Sequence, residues 1–249
     1  MSEKTGISWT EHTWNPWEGC TKISPGCANC YMFALLQQYG RDPSRVRRTN
    51  TWGDPPRWDA IAAEEGKPAL VFTCSLSDWF HEGADAWRAE AWEVVRRSPH
   101  LRFQILTKRP FRIAEHLPPD WGDGYDNVWL GVSIEDNEHV WRADVLRKIP
   151  ARTSFISAEP LLGPLSHLDL HGFHWLIVGG ESGPHYRLMD RKWARQLRDM
   201  VTPQGVAFYF KQSAARLPGK GDRLDGRQWH EYPPMFVPAA AIHVAQQGA

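Results

Sequence analysis

The stretch Val128–Pro160, VWLGVSIEDNEHVWRADVLRKIPARTSFISAEP, reads as one strand, one helix and a second strand. VWLGV (Val128–Val132) and TSFIS (Thr153–Ser157) are short β-prone runs of the kind found in parallel strands buried on both faces. Between them, Asp136–Lys148 places Val140, Trp141, Val145 and Leu146 on one helical face. A connection of that length suits a parallel crossover rather than a hairpin. Both strands release polar side chains just past their carboxyl ends, as SIED (Ser133–Asp136) and AEP (Ala158–Pro160).

The same rhythm extends in both directions. LVFT (Leu70–Thr73), FQIL (Phe103–Leu106), WLIV (Trp175–Val178) and VAFYF (Val206–Phe210) are further runs of this kind, and successive starts lie 22 to 33 residues apart. Ala84–Arg97 places Trp87, Ala91, Val94 and Val95 on one face, and Asp190–Met200 has Trp193, Leu197 and Met200 at helical spacing. An upstream strand at Ile7–Thr10 and a helix at Tyr31–Gln38 complete a first unit. Leu161–Phe173, LLGPLSHLDLHGF, is irregular. About seven βα-like units in 249 residues predict a single α/β domain: a (βα) barrel, partial, of six to seven parallel strands. A doubly wound open sheet is the alternative. The barrel is expected over residues 1–235, with 236–249 as a C-terminal tail.

Composition narrows the function classes. With 42% hydrophobic and 23% charged residues the chain can build a sizeable core. Its 29 basic and 29 acidic residues cancel, which excludes a surface that is one continuous polyanion-binding field but leaves room for a local basic groove. No run of 18 apolar residues occurs, and MSEKTGISWTEHTW lacks the apolar core of a signal peptide. A soluble, cytoplasmic protein with no membrane partner is expected. Fourteen tryptophans are heavy use of a large, partly polar ring.

Beyond the six strand runs lie CSLSD (Cys74–Asp78), TKR (Thr107–Arg109), SIED, AEP, GGES (Gly179–Ser182) and KQ (Lys211, Gln212). Barrels and open α/β sheets assemble their sites on this rim. Lys108 and Arg109 could hold a carboxylate or phosphate. Glu159 and Glu181 could face one another and share a proton or bind an amine, unless one of them pairs with Lys211 or Arg187. Cys74 is either a small buried residue or a thiol facing the cavity. Arg41–Arg48 with Trp52 and Trp58 has the composition of a nucleic-acid platform, or of a solvated loop with tryptophans packed on the barrel.

Three of the four cysteines fall in WNPWEGCTKISPGCANCY (Trp14–Tyr31), spaced Cys20-x6-Cys27-x2-Cys30. Such a cluster in a reducing compartment points to metal binding or catalysis before disulfides. Thiolates suit zinc or an iron–sulfur cluster. A structural zinc site needs a fourth ligand, for which His12 and His81 are candidates. On a [4Fe–4S] cluster, three thiolates leave one iron open.

WNPWEGCTKISPGCANCY, followed in order by TCSLSDWF, LTKRP, GVSIED, SAEPLLGP, VGGESGP and FYFKQ, resembles a phage-associated family of uncharacterised function. That family is related to radical S-adenosylmethionine (radical SAM) enzymes, with spore photoproduct lyase among its distant kin. The resemblance runs from about Gly6 to Pro233. It implies a partial (βα) barrel carrying a [4Fe–4S] cluster on Cys20, Cys27 and Cys30 after the first strand. SAM would bind the open iron and be cleaved to a 5′-deoxyadenosyl radical, with nucleic acid a possible substrate. Ser75, Ser77, Asp78, Ser133 and Glu135 are the expected SAM-side contacts. Cys74, Lys108, Glu159, Glu181 and Lys211 are the expected catalytic groups. The first cysteine interval is x6 where radical SAM enzymes commonly have x3, and Asn29 stands where an aromatic residue is usual. Gly179-Gly180-Glu181 follows a late strand instead of the second, so the SAM-binding role of the common GGEP motif is not carried over to it. The alternative is a metal-stabilised phage accessory protein, not an enzyme, that binds nucleic acid or a protein partner.

Overall fold

Val128–Ser133 and Thr153–Ala158 lie side by side in parallel, with Trp129 opposite Thr153 and Ser133 opposite Ser157. They are β4 and β5 of a seven-stranded sheet in a computed structural model that describes residues 5–234. The other strands are β1 (His12–Trp14), β2 (Ala69–Thr73), β3 (Leu101–Thr107), β6 (Trp175–Gly179) and β7 (Ala207–Gln212). Every neighbouring pair is parallel, and spatial order follows chain order from β1 to β7. The sheet curls into a half-barrel, a partial barrel of the TIM kind. The expected tail at 236–249 lies outside the described residues. No helix among those residues is long and apolar enough to cross a membrane.

Alternation along the strands sorts two apolar layers. Val71, Phe103, Ile105, Leu130, Ile156, Val178 and Phe208 belong to the main core, which the helices cover. Leu70, Trp129, Phe155, Trp175, Ile177 and Tyr209 form a second cluster on the other face, with Trp9 inserted among them. Trp175 is its hub: its ring centroid lies 5.6 Å from that of Trp129, 5.7 Å from Phe155, and 6.0 Å from both Trp9 and Tyr209. Aromatic rings therefore plug the barrel interior toward the amino ends of the strands. Further along the same face stand Gly131, which makes room for the Phe155 ring, then Ser133, Ser157, Gly179 and Lys211, so the interior becomes polar toward the carboxyl ends.

The first strand departs from expectation. Ile7–Thr10 is a turn closed by Thr10 N–H on Ile7 O at 3.4 Å, and pairing begins at His12. The β-prone ISWT supplies the Trp9 plug instead of a strand.

Helices α1 (Tyr31–Gln38), α3 (Asp85–Arg96), α4 (Trp141–Arg147) and α5 (Arg191–Val201) fall where expected, with corrected faces. α3 buries Arg88, Ala91, Trp92 and Val95, leaving Trp87 half-buried. Asp136 caps a short 3-10 turn at Asn137–His139, so α4 begins only at Trp141, whose ring is exposed. Arg142 turns inward instead and donates to Ser133 O and Glu135. On α5, Ala194, Leu197 and Val201 are buried, while Trp193 and Met200 pack only partly. Asp54–Glu65 forms a helix, α2, that the sequence reading did not identify. Its two prolines lie in the first turn, where missing N–H groups cost nothing, and Gly66 ends it at φ +62°.

Candidate functional site

The cysteine loop leaves β1 and lies across the carboxyl-end mouth of the half-barrel. Pro25–Cys27 is a 3-10 turn, and Cys30 is the N-cap of α1, where the helix dipole favours negative charge. Cys20, Cys27 and Cys30 are free thiols, each partly exposed.

Four rim segments tie this loop down. From the end of β3, Arg109 is almost fully buried and donates to Thr21 Oγ1 at 2.6 Å and Cys20 Sγ at 3.8 Å. Past β4, the fully buried Glu135 accepts from Ser24 Oγ at 2.5 Å and from Arg142 at 2.7 Å. Gly26 packs so closely there that a Cβ would lie 2.4 Å from Glu135 Oε1. Past β6, Glu181 takes Asn29 Nδ2 at 3.0 Å and both Nε and Nη2 of Arg187, whose guanidinium also reaches Pro25 O at 3.0 Å. From the segment after β2, Ser77 Oγ donates to Gly19 O at 2.5 Å, and Tyr31 OH donates to Ser75 O at 2.6 Å. Ser75 Oγ accepts from Asn15 at 3.0 Å.

The thiols differ electrostatically. Burial pushes Cys20 up to about 12, and nearby Asp78 adds to this against the Arg109 cation. Burial also raises Cys30, against Met32 N–H and Lys108. Burial acts the same way on Cys27, but Lys108 together with hydrogen bonds from the loop backbone and Ser24 outweighs it and leaves that thiol below its ordinary value. A cation beside a partly exposed thiol is the setting of a reactive or ligating cysteine.

The expected site residues therefore separate by task. Glu135 and Glu181 are committed to the cysteine loop. Asp78 is held by Thr107 Oγ1 at 2.7 Å, Lys108 N–H at 3.0 Å and Arg109 at 3.3 Å. Lys108 Nζ lies 3.8 Å from Glu135 and close enough to Cys27 and Cys30 to act on both. Lys211 pairs with Glu159 at 3.0 Å on the inner wall, and Gly179 makes room for that carboxylate: a Cβ there would lie 2.2 Å from Glu159 Oε1. Ser133 is buried on the inner face. Cys74 follows β2 directly; burial raises its thiol, and Asp78 and Cys20 lie close enough to add to this. It is 3% exposed, at φ +57°, and belongs to the core between sheet and helices.

Ser24, Asn29 and Arg142 also hold the loop, though sequence reasoning did not single them out for it; Arg187 was a candidate partner and takes Glu181, as Lys211 takes Glu159, so the two carboxylates do not pair with each other. Asn29 was visible only as a polar residue before the last cysteine. Its role depends on a carboxylate 152 positions away. The expected basic platform is largely self-neutralised: Arg41 and Arg47 both bind Glu18, at 2.7 and 2.6 Å, and Arg48 binds Glu90 while stacking over Trp52. Trp58 is buried against His12. His81 Nδ1 accepts from Gly83 N–H and Nε2 lies 3.1 Å from Thr21 Oγ1.

Among the described residues, no three His, Cys, Asp or Glu side chains form a ready-made metal-ion cage. The donor set nevertheless suits a soft-metal group: three free, partly exposed thiols on one anchored loop, flanked by Lys108 and Arg109 at the polar end of the half-barrel.

Among solved structures, the chain is similar to a spore photoproduct lyase carrying a cysteine-to-serine substitution. The identity is 13% and the TM-score 0.54, over 84% of this chain and 78% of that one. At this identity the likeness concerns the fold. No curated protein matches the chain. The family model described as "Protein of unknown function (DUF5131)" matches residues 4–233. That span takes in the half-barrel, the cysteine loop and every rim residue described above, and the chain belongs to the DUF5131 family.

Proposed function

We propose that the chain is a cytoplasmic radical SAM-type enzyme that holds a [4Fe–4S] cluster on Cys20, Cys27 and Cys30 and acts on a nucleic-acid base. The observation that carries this reading is three free, partly exposed thiols on one anchored loop over the polar end of a half-barrel. The fold likeness to spore photoproduct lyase supports it. Three cysteines leave one iron of such a cluster without a protein ligand. A cluster held there by Cys20, Cys27 and Cys30, once reduced by an external one-electron donor, would supply the electron for reductive cleavage of bound SAM.

The chain's own residues have definable tasks in this scheme. Lys108 and Arg109 offset the negative charge of the thiolates. Ser24, Glu135, Glu181 and Arg187 fix the loop, so the sulfurs need little rearrangement to ligate. The aromatic plug around Trp175 closes the interior from below and keeps water from reaching a radical through the floor of the barrel. Ser157, Glu159 and Lys211 line the wall where a substrate would enter.

Anaerobic reconstitution with iron and sulfide tests this. The native chain should take up four irons and four sulfides, and Cys30→Ala should lose them. Stoichiometric zinc in place of iron, with no SAM binding by calorimetry, would favour the accessory-protein reading instead.

A further inference from the structure

The whole chain has no net charge, yet residues 187–227 carry ten Lys and Arg against four Asp. Some of these cations are internal or paired. Arg187 holds Glu181, Lys211 holds Glu159, and Arg195 and Arg198 share Asp225. Lys192, Arg216, Lys220, Arg223 and Arg227 are exposed and have no carboxylate within salt-bridge distance among the described residues.

The backbone gathers them beside the mouth. Ser182 bridges to Ala215, and Ala215 N–H donates to Glu181 O at 3.1 Å, so the loop after β7 runs along the loop after β6. Gln212 Oε1 accepts from Gly219 N–H at 2.7 Å, and Ser213 N–H from its side binds Gly221 O at 2.9 Å, which fixes the loop that presents Arg216 and Lys220. Arg191 binds the carbonyl of Arg223 and draws the amino end of α5 to the same lip. The lip is continuous with the cysteine loop through Asn29 on His185 O at 2.8 Å and Arg187 on Pro25 O. Tyr186, Leu188 and Leu217 stand exposed among the cations, Leu188 at 80%.

From this we infer that the lip formed by residues 185–192 and 213–223 is a docking surface for single-stranded nucleic acid, delivering a base to the mouth. Unpaired cations that track one side of a cavity, with apolar and aromatic side chains between them, suit a phosphate backbone and its unstacked bases. The inference rests on the proposed function for the meaning of the bound base, but binding itself needs neither iron nor SAM, so the two readings fail separately.

The test is fluorescence anisotropy with a labelled single-stranded 20-mer, as DNA and as RNA, on the metal-free protein. If about four phosphates are neutralised, binding should weaken roughly fiftyfold between 50 and 200 mM salt. Arg216→Glu with Lys220→Glu should weaken binding at least tenfold and flatten the salt dependence. Lys148→Glu, on an exposed residue past the carboxyl end of α4 at the opposite end of the barrel, should change it less than twofold. The same urea-unfolding midpoint for both charge variants as for the native chain, all metal-free, would show that the fold is intact. The inference is overturned if neither oligonucleotide binds at 50 mM salt, or if reversing Arg216 and Lys220 matters no more than reversing Lys148. It is also overturned if polyglutamate or anionic phosphatidylglycerol vesicles compete as well as unlabelled oligonucleotide.

Discussion

Ser24 donates its hydroxyl to Glu135 at 2.5 Å, joining the cysteine loop to the end of the fourth strand across 111 positions of sequence. Glu135 is fully buried and also takes the guanidinium of Arg142, itself 2% exposed. One carboxylate thus sets the loop's position and neutralises a buried cation. Glu135→Gln keeps the shape but leaves Arg142 without its charge partner. We expect a loss of about 3 kcal/mol in urea unfolding, as for other broken buried pairs, together with reduced iron uptake. Unchanged stability would mean that Glu135 does not carry this load.

The three loop thiols should react unequally in the metal-free protein. Cys27, with its thiol below the ordinary value despite burial, holds more thiolate at neutral pH than Cys20, which burial pushes up to about 12. Iodoacetamide at pH 7.5 followed by peptide mass spectrometry should find Cys27 modified first, Cys20 slowly, and Cys74 only on unfolding. Lys108→Met should slow Cys27 several-fold. Equal rates at all three loop cysteines would count against the arrangement.

Glu181 gives a pH signature. Burial raises its carboxyl, but Arg187 and Asn29 outweigh this and hold it below the ordinary value. Its folded pKa is therefore depressed, so its contribution is full above the unfolded value, near 4.3, and is lost as pH falls through the folded value. Arg187→Met should destabilise the protein at pH 6, and the gap from the native chain should narrow below about pH 4. A gap that stays constant from pH 7 to pH 3 would assign the effect to lost packing instead.

Trp175 is completely buried, packs on five aromatic rings and donates Nε1–H to Glu231 O at 2.8 Å. Trp175→Ala should cost about 3–5 kcal/mol, the range for large core aromatics. A cost under 1 kcal/mol by denaturant titration would show that the floor can collapse around the void.

The strands were legible in the sequence because each is a short apolar run ending in polar residues, and all six downstream of the cysteine motif lie within two residues of their expected starts. Helical faces were less legible. Apolar periodicity cannot reveal that Arg88 and Arg142 turn inward, because carbonyls and a carboxylate on the loops just upstream of their helices receive them. Trp9 looked like strand because its ring suits one, yet it serves as a plug between Phe72 and Trp175. At the mouth, the cysteines, Lys108, Glu135, Glu159, Glu181 and Lys211 could be named from their rim positions. Their division into loop holders and wall residues was legible only in part: Lys211 and Arg187 were candidate partners of Glu159 and Glu181, but Ser24 and Arg142 are unremarkable in sequence.

The central claim is that the three-thiol loop supports SAM chemistry, and its most direct measurement is 5′-deoxyadenosine release. Anaerobically reconstituted protein, reduced with dithionite in the presence of SAM, should release 5′-deoxyadenosine and methionine slowly even without substrate. Cys30→Ala should release neither. A fully iron-loaded native chain that forms no 5′-deoxyadenosine and leaves SAM intact would contradict the account.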